Sequence, residues 1–423
     1  MEYLIIGNSA AAIGAVEGIR AYDRQGKITV VSDEPYSTYS RPLISYYLSG
    51  KVKPEKMAYR KPSFYQEQMV EVLLGKKAVK VEPQKKEVLL ADGQSLKYDR
   101  LLLATGGKPF LPPLEGSTKD GVFTFQKMDD ALQISKRVKA GTKAVVIGGG
   151  LIGLKAAEAL AELKAQVTVV ELADRILSTV LDQEAAYLVE KHLRKQGIGF
   201  ELQNTAVKVI GGEKTEGVEL KDGKKLPCEL VIVAVGVVPN AELAKEAGIK
   251  VNRGIVVDEH LETSVSGIYA AGDVSEGADL LLQTERVLPL LPNAYKQGET
   301  AGKNMAGVKT AYPGGMAMNS IGFFGLPLVS CGLSTASAAD GFEVLVRKEE
   351  ENQIYRKLVI EDNRIVGLIS VGAIEHTGII NWLIREKIVV VSFKEKLLAK
   401  DFGLHDLPYE LRQEHLRGGA KIA

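Results

Sequence analysis

Residues 144–153 read Ala-Val-Val-Ile-Gly-Gly-Gly-Leu-Ile-Gly, and residues 4–12 read Leu-Ile-Ile-Gly-Asn-Ser-Ala-Ala-Ala. Both stretches run from a short apolar strand through a turn of small residues into an alanine-rich helix, the pattern of a strand–turn–helix unit. A second pair matches in the same way: Leu101–Pro109 (LLLATGGKP) and Val231–Asn240 (VIVAVGVVPN), apolar strands that end in glycine turns. The two members of each pair lie at nearly equal separations. One βαβ-type plan used twice is the simplest account. Ile28–Ser32 and Val167–Glu171 are β-branched strands that follow the two helices, and Asp92-Gly93 and Asp222-Gly223 mark a hairpin in each copy. From about Pro313 the pattern changes. Glu343–Arg347, Ile354–Ile360 and Ile365–Val371 alternate between polar turns, which predicts an antiparallel sheet with a helix near Gly378–Glu386 after it.

Composition narrows the function. The 423 residues are 45% hydrophobic and 25% charged, with 43 glycines and a formal net charge of +1. A net charge so small gives no basic field for nucleic acid. No apolar run reaches the roughly 18 residues of a membrane span, and the N-terminus reads as a first strand rather than a signal peptide. Two cysteines far apart, Cys228 and Cys331, give neither a disulfide framework nor a zinc motif, so a reducing cytosol is expected. The five histidines, His192, His260, His376, His405 and His415, have no metal-ligand spacing and are expected at the surface. No nucleophile elbow or Ser/His/Asp arrangement supports a hydrolase.

Gly148, Gly150 and Gly153 complete a GxGxxG fingerprint after a strand and before a helix, with Leu151 and Ile152 opening that helix. Such a turn brings backbone N–H groups and the positive helix end against a pyrophosphate. Glu171 ends the next strand, where an acid accepts a ribose 2′-hydroxyl and repels a 2′-phosphate. That favours NAD(H), although Arg175 stands one turn further on. The earlier turn keeps only Gly7, with Ser9 and Ala12 in the other two glycine places and Ala10 and Ala11 between them. Alone it is a weak fingerprint. Two further strands, Ala104-Thr105-Gly106-Gly107 and Ile268–Val274 with its Gly272-Asp273, strengthen it.

Taken together, these elements resemble the FAD- and NAD(P)-binding pyridine nucleotide-disulfide oxidoreductase superfamily. The resemblance implies that FAD occupies the first site, with Asp273 on the ribityl chain, Asp33 or Glu34 on the adenosine ribose, and Ala104–Gly106 lining the interdomain connection. In disulfide-reducing members a cysteine faces the flavin after the second strand. Here that stretch reads Tyr36-Ser37-Thr38-Tyr39-Ser40-Arg41-Pro42-Leu43-Ile44-Ser45-Tyr46, without a thiol. Thiol exchange needs a thiolate, so disulfide, CoA-disulfide and sulfenate chemistry are disfavoured.

The Tyr-Ser-Arg-Pro-Leu run is similar instead to a subgroup of rubredoxin reductases, oxygenase ferredoxin reductases and nitrite reductase flavin portions, which pass single electrons to iron proteins. On this resemblance Arg41 contacts the FAD pyrophosphate and Pro42 lies against the isoalloxazine. The helix start at Pro292-Asn293-Ala294 faces the flavin pyrimidine, and Asn319–Leu328 opens a C-terminal interface domain. Val79 and Gly236 complete the candidate cofactor-binding residues.

Two departures stand out. Tyr46 occupies the place of a lysine found in the oxygenase-type reductases, and Lys155 the place of a glutamate common in the superfamily. Lys155 is therefore expected to bring positive charge near flavin N5, or else to be a solvated helix lysine.

The expected architecture is α/β: an FAD domain from residues 1–112 and 246–310, a Rossmann-like NAD(H) domain inserted at 113–245, and a C-terminal α+β domain at 311–423. Its tail from Ile379 mixes Trp382, Arg385, Lys387, Phe393, Lys394, Lys396 and Lys400, read either as the closing helix of the third domain or as a docking element. Three functions stay open: an NADH-dependent reductase of rubredoxin or ferredoxin, the FAD/NAD subunit of an iron–sulfur complex such as aldehyde oxidoreductase or phenylglyoxylate dehydrogenase, and a non-catalytic NADH sensor. A homodimer through the C-terminal domain is a further expectation.

Overall fold

The computed structural model describes residues 1–416. The last seven residues of the predicted tail lie outside the described residues. Two parallel five-stranded sheets repeat one order. In the first, Val70–Leu73, Lys27–Val31, Glu2–Ile6, Arg100–Leu103 and Ile268–Ala270 lie side by side. In the second, Gly199–Glu201, Gln166–Val170, Lys143–Ile147, Leu230–Val233 and Val122–Phe123 do the same. Each central strand is buried along all but its first residue (Leu4, Ile5 and Ile6; Val145, Val146 and Ile147), as a parallel sheet covered on both faces requires. Each unit also carries a three-stranded antiparallel flap, at residues 78–97 and 206–227, turning at the two predicted Asp-Gly positions.

Helix Ala10–Arg20 packs on helix Leu291–Met305 almost backbone to backbone. A Cβ on Gly14 or Gly18 would meet the carbonyls of Tyr295 and Glu299, and a Cβ on Gly298 or Gly302 the carbonyls of Ala11 and Ala15. These notches let helix formers sit at van der Waals contact where any side chain would push them apart.

The C-terminal unit is a five-stranded antiparallel sheet in the order Met318–Phe323, Leu326–Gly332, Arg364–Val371, Ile354–Glu361, Glu343–Glu349. Alternation divides its side chains between two faces. Phe323, Leu328, Tyr355, Ile369 and Val371 join one core with the second parallel unit and with Ile44 and Leu48. Val329, Leu358, Ile360 and Leu368 join another with helix Thr377–Arg385 and with Phe393, Leu397 and Phe402 of the tail. The tail thus supplies buried packing as well as exposed charge. His192, His260 and His415 are half-buried rather than at the surface, because each sits on or beside an element packed against a neighbour. Both cysteines are buried, and burial pushes their thiols up to about 12. No helix among the described residues is long and apolar enough to cross a membrane.

Candidate functional site

The two glycine turns start alike. Gly7 has φ +115° and donates to the Val31 carbonyl at 2.8 Å; Gly148 has φ +110° and donates to the Val170 carbonyl at 2.8 Å. A Cβ on Gly7 would strike the Ala104 carbonyl, and one on Gly148 the Ala234 carbonyl. Only glycine meets both demands. Each turn therefore delivers a helix N-terminus, with its unpaired N–H groups, just beyond the carboxyl ends of a parallel sheet.

Beyond the first turn lies a cavity of about 570 Å³, a volume within the ~300–1,000 Å³ typical of ligand sites. It is lined by Gly7, Ser9, Ala10, Ala11, Asp33, Glu34, Arg41, Val79, Ala104, Thr105, Gly106, Gly272, Asp273 and Ala294. Pro42 and Asn293 were expected there too, but do not line it: Pro42 is exposed on the Arg41–Leu43 turn, and the Asn293 amide donates to the Met316 carbonyl at 3.1 Å. Sequence reasoning missed Asn8, Tyr39, Gln126 and Lys127, which also line the cavity. Asn8 stood inside the quoted motif, and the Lys127–Asp130 helix start was readable; what no local pattern revealed is that this start folds over the first turn.

Charge in the cavity is organised around Arg41. Its guanidinium pairs with Glu34 at 2.5 Å, and Glu34 also accepts from the Tyr39 hydroxyl at 2.7 Å. Burial opposes the guanidinium charge, but Tyr39, Glu34 and Asp273 hold it firmly ionised. Of the two candidate acids, Glu34 is buried in this pair, whereas Asp33 is exposed and bridged to Lys127 at 2.9 Å. Burial raises the Asp273 carboxyl to about 6, with Arg41 pulling the other way. The Gly272–Asp273 turn is held from behind by Gln297, whose side-chain oxygen accepts from the Gly272 N–H at 2.8 Å and from Ser275 at 3.0 Å.

These residues fit FAD. The glycine cradle and the first turn of helix Ala10–Arg20 suit a pyrophosphate, Arg41 supplies a matching cation, and a desolvated Asp273 suits hydroxyl donors. Asn8 Nδ2 and Gln126 Oε1, on residues that line the cavity, have no hydrogen-bond partner among the described residues.

At the second turn Gly148, Gly149 and Gly153 are buried, Gly150 and Leu151 half-buried and Ile152 exposed. Gly236 (φ +123°) lies on the facing loop, and none of these residues lines the cavity. Ile152 and Leu172 are exposed there, at 40% and 67%. Glu171 accepts from the Gly149 N–H at 2.5 Å and from the Ala173 N–H at 2.8 Å, so its carboxylate shapes the glycine turn. Arg175 turns away, toward Asp174 and the carbonyls of Ser178 and Leu181. Lys155 is neither a solvated helix lysine nor a lone charge: it forms a buried ion pair with Glu158.

The sequence profile of the pyridine nucleotide-disulphide oxidoreductase family matches residues 1–298, and that of the rubredoxin NAD+ reductase C-terminal domain matches residues 318–388. The chain is 32% identical over 374 residues to a nitrite reductase [NAD(P)H] of Bacillus subtilis, covering 88% of this chain but 45% of that enzyme's length. It is 32% identical over 403 residues to the NADH-dependent phenylglyoxylate dehydrogenase subunit epsilon of Aromatoleum evansii, covering 94% of each. Among solved structures, a covalent putidaredoxin reductase–putidaredoxin complex superposes with a TM-score of 0.85 at 27% identity, covering 92% of this chain and 94% of that one.

Proposed function

The chain belongs to the pyridine nucleotide-disulphide oxidoreductase family, and on that premise we propose that it exchanges a hydride with NAD(H) and passes electrons singly to or from an iron–sulfur or rubredoxin-type protein. Bound FAD supplies the conversion between a two-electron hydride and one-electron steps. The observation that carries this reading is the wall of the cavity. Where a thiol-exchanging relative needs a cysteine, the wall presents Tyr36, Tyr39 and Arg41, and Cys228 and Cys331 are buried elsewhere as neutral thiols. A two-electron thiol exit is thereby removed.

In this reading the chain's residues bind and orient. The Gly7 turn with Ser9, Ala10 and Ala11 holds the pyrophosphate, Arg41 neutralises it, Glu34 takes the adenosine ribose and Asp273 the ribityl hydroxyls. Pro42 lies against the flavin ring, and the helix beginning at Leu291 directs its positive end to the pyrimidine. The Gly148 turn and Glu171 hold NAD(H) at a less covered site from which it exchanges. The division at residues 112, 245 and 310 belongs to the same proposal, as do a cytosolic location, supported by two unpaired buried cysteines, and a C-terminal dimer contact.

One observation favours a second form of the function, that of a subunit. The likeness to subunit epsilon spans 94% of both chains, whereas the C-terminal domain profile ends at residue 388 and the structure packs Phe393, Leu397 and Phe402 beyond it. Anaerobic rapid mixing with NADH and NADPH, then with rubredoxin or ferredoxin, tests both forms. Fast bleaching by NADH followed by transfer to one small iron protein supports a free-standing reductase. Fast bleaching with no competent soluble acceptor supports a subunit. Absence of bleaching rejects both.

A further inference from the structure

Helix Leu151–Glu162 opens at the NAD-side glycine turn, and helix Ile44–Leu48 follows directly on the Arg41–Leu43 turn beside the cavity. In the function proposed above, NAD(H) lies at the start of the first helix and the flavin ring at Pro42, just before the second. The two helices are joined by a clasp largely closed to water. The Lys155 ammonium lies 4.5 Å from the centroid of the Tyr46 ring and 5.7 Å from that of Phe323. It ion-pairs with Glu158 one turn along its own helix and donates to the Gly322 carbonyl at 3.2 Å. Glu158 accepts the Phe324 backbone N–H at 2.6 Å. The two side chains are only 12% and 7% exposed. Lys51, just past the Tyr46 helix, pairs with Glu162 further along the NAD-side helix. Three segments distant in sequence thus meet at one ion pair: the flavin-side helix, the NAD-side helix and the Phe323–Phe324 hairpin turn.

Resting on the hydride-transfer function proposed above, we propose that Lys155 and Glu158 are positioning residues that set how the NAD-side turn sits over Pro42. The pair is neutral as a whole and its contacts run between elements, so its action is geometric. Lys155 fastens its helix to Tyr46, and Glu158 fastens the same helix to the C-terminal hairpin. In a water-poor junction a cation over an aromatic face and a charge-assisted hydrogen bond both resist sliding. Hydride transfer is sensitive to such sliding, since a misplacement of about 1 Å costs on the order of 10²-fold in rate.

The test uses the purified FAD-loaded chain and four forms of it: unsubstituted, Lys155→Arg, Tyr46→Leu, and the double variant Lys155→Met/Glu158→Gln. The double variant removes both charges together, leaving no unpaired buried charge to unfold the chain. FAD content is measured first, then the limiting rate of flavin bleaching and the NADH Kd by rapid mixing, and separately hydrogen exchange at the Phe324 N–H. For the double variant the expected result is unchanged FAD content, an NADH Kd within about threefold, a limiting rate lower by ~10- to 100-fold, and faster exchange at Phe324. Lys155→Arg, which keeps the cation and its pairing, stays within about threefold of the unsubstituted chain, and Tyr46→Leu falls between. An unchanged limiting rate in the double variant, a loss confined to NADH affinity, or an arginine variant as slow as the double one would each overturn the proposal. Failure of the unsubstituted chain to bleach with NADH would instead overturn the function on which it rests.

Discussion

The two dinucleotide turns share a backbone and differ in what covers them. Gly7 and Gly148 have nearly the same φ, donate to equivalent strand-end carbonyls, and abut Ala104 and Ala234 at equivalent places. Yet the incomplete fingerprint lies at the floor of a cavity of about 570 Å³ that no residue of the complete one lines, and the complete one leaves Ile152 exposed. The first turn is roofed by Arg41, by Gln126 and Lys127 reaching over from the inserted unit, and by Ala294 on the helix packed behind it. Among the described residues, helix Leu151–Glu162 is met instead by the short helix Ile44–Leu48. Glycine count in the motif reports how closely a phosphate approaches the backbone; depth of binding is decided by distant chain. A site covered by distant chain suits a cofactor that stays, and a less covered one a cofactor that comes and goes.

The comparison breaks most visibly at the paired glycines. Gly7→Val forces a side chain into a left-handed backbone against a carbonyl, and is expected to purify with less than about a tenth of the normal flavin absorbance. Gly148→Val is expected to keep its flavin while the NADH Kd rises by roughly 100-fold or more. Loss of flavin from both would show that the sites are not independent.

Asp273 tests whether the first site is desolvated. Its folded carboxyl, at about 6, lies above its ordinary value of 3.8. The flavin-free folded chain therefore holds a proton that the unfolded chain has released, so this contribution is full below about pH 4 and lost as pH rises through 6. A shift of about two pKa units corresponds to ~3 kcal/mol. Denaturation midpoints of the flavin-free chain are expected to favour it over Asp273→Asn increasingly as pH falls from neutrality to 4. Parallel curves would mean the carboxyl is hydrated.

Glu171→Ala removes two charge-assisted hydrogen bonds from the second turn. Equilibrium titration is expected to show NADH affinity down by roughly 10-fold and NADPH affinity changed less, narrowing the preference. The smallest effect is expected where the fingerprint is completed. Ser9 has φ −130°, a conformation any residue adopts, and Ala12 sits inside a packed helix. Ser9→Gly with Ala12→Gly should change FAD affinity by less than about threefold while lowering stability by ~1 kcal/mol. A large gain in affinity would mean that motif completeness, not covering, controls the first site.

The double βαβ plan, the antiparallel third unit and the Gly272-Asp273 turn were all legible, because strand periodicity and glycine turns are local properties. Most of the expected cavity residues came from the same turns and fall together in space. Pro42 and Asn293 were read from neighbouring motif positions and stand outside the cavity wall, Asn293 because its amide turns to the Met316 carbonyl. Lys127 reaches the cavity only because the inserted unit folds back over the first, a contact between residues 33 and 127 that no window of sequence contains. The Lys155–Glu158 pair lies within one helical turn and was visible in principle, but its meaning depends on Tyr46 and Phe324 arriving from two other parts of the chain.

The glycine notches between helix Ala10–Arg20 and helix Leu291–Met305 also bear on the order of assembly during synthesis. The first helix emerges from the ribosome with its packing surface already formed, and waits for a partner about 280 residues later, which is on the order of 15–55 s at typical elongation rates. In that interval the whole inserted unit is made and can fold, while the unit holding that helix cannot close. Of these two units, the one whose first helix is made earlier is thus completed later, and flavin capture waits until residue 305 has been made.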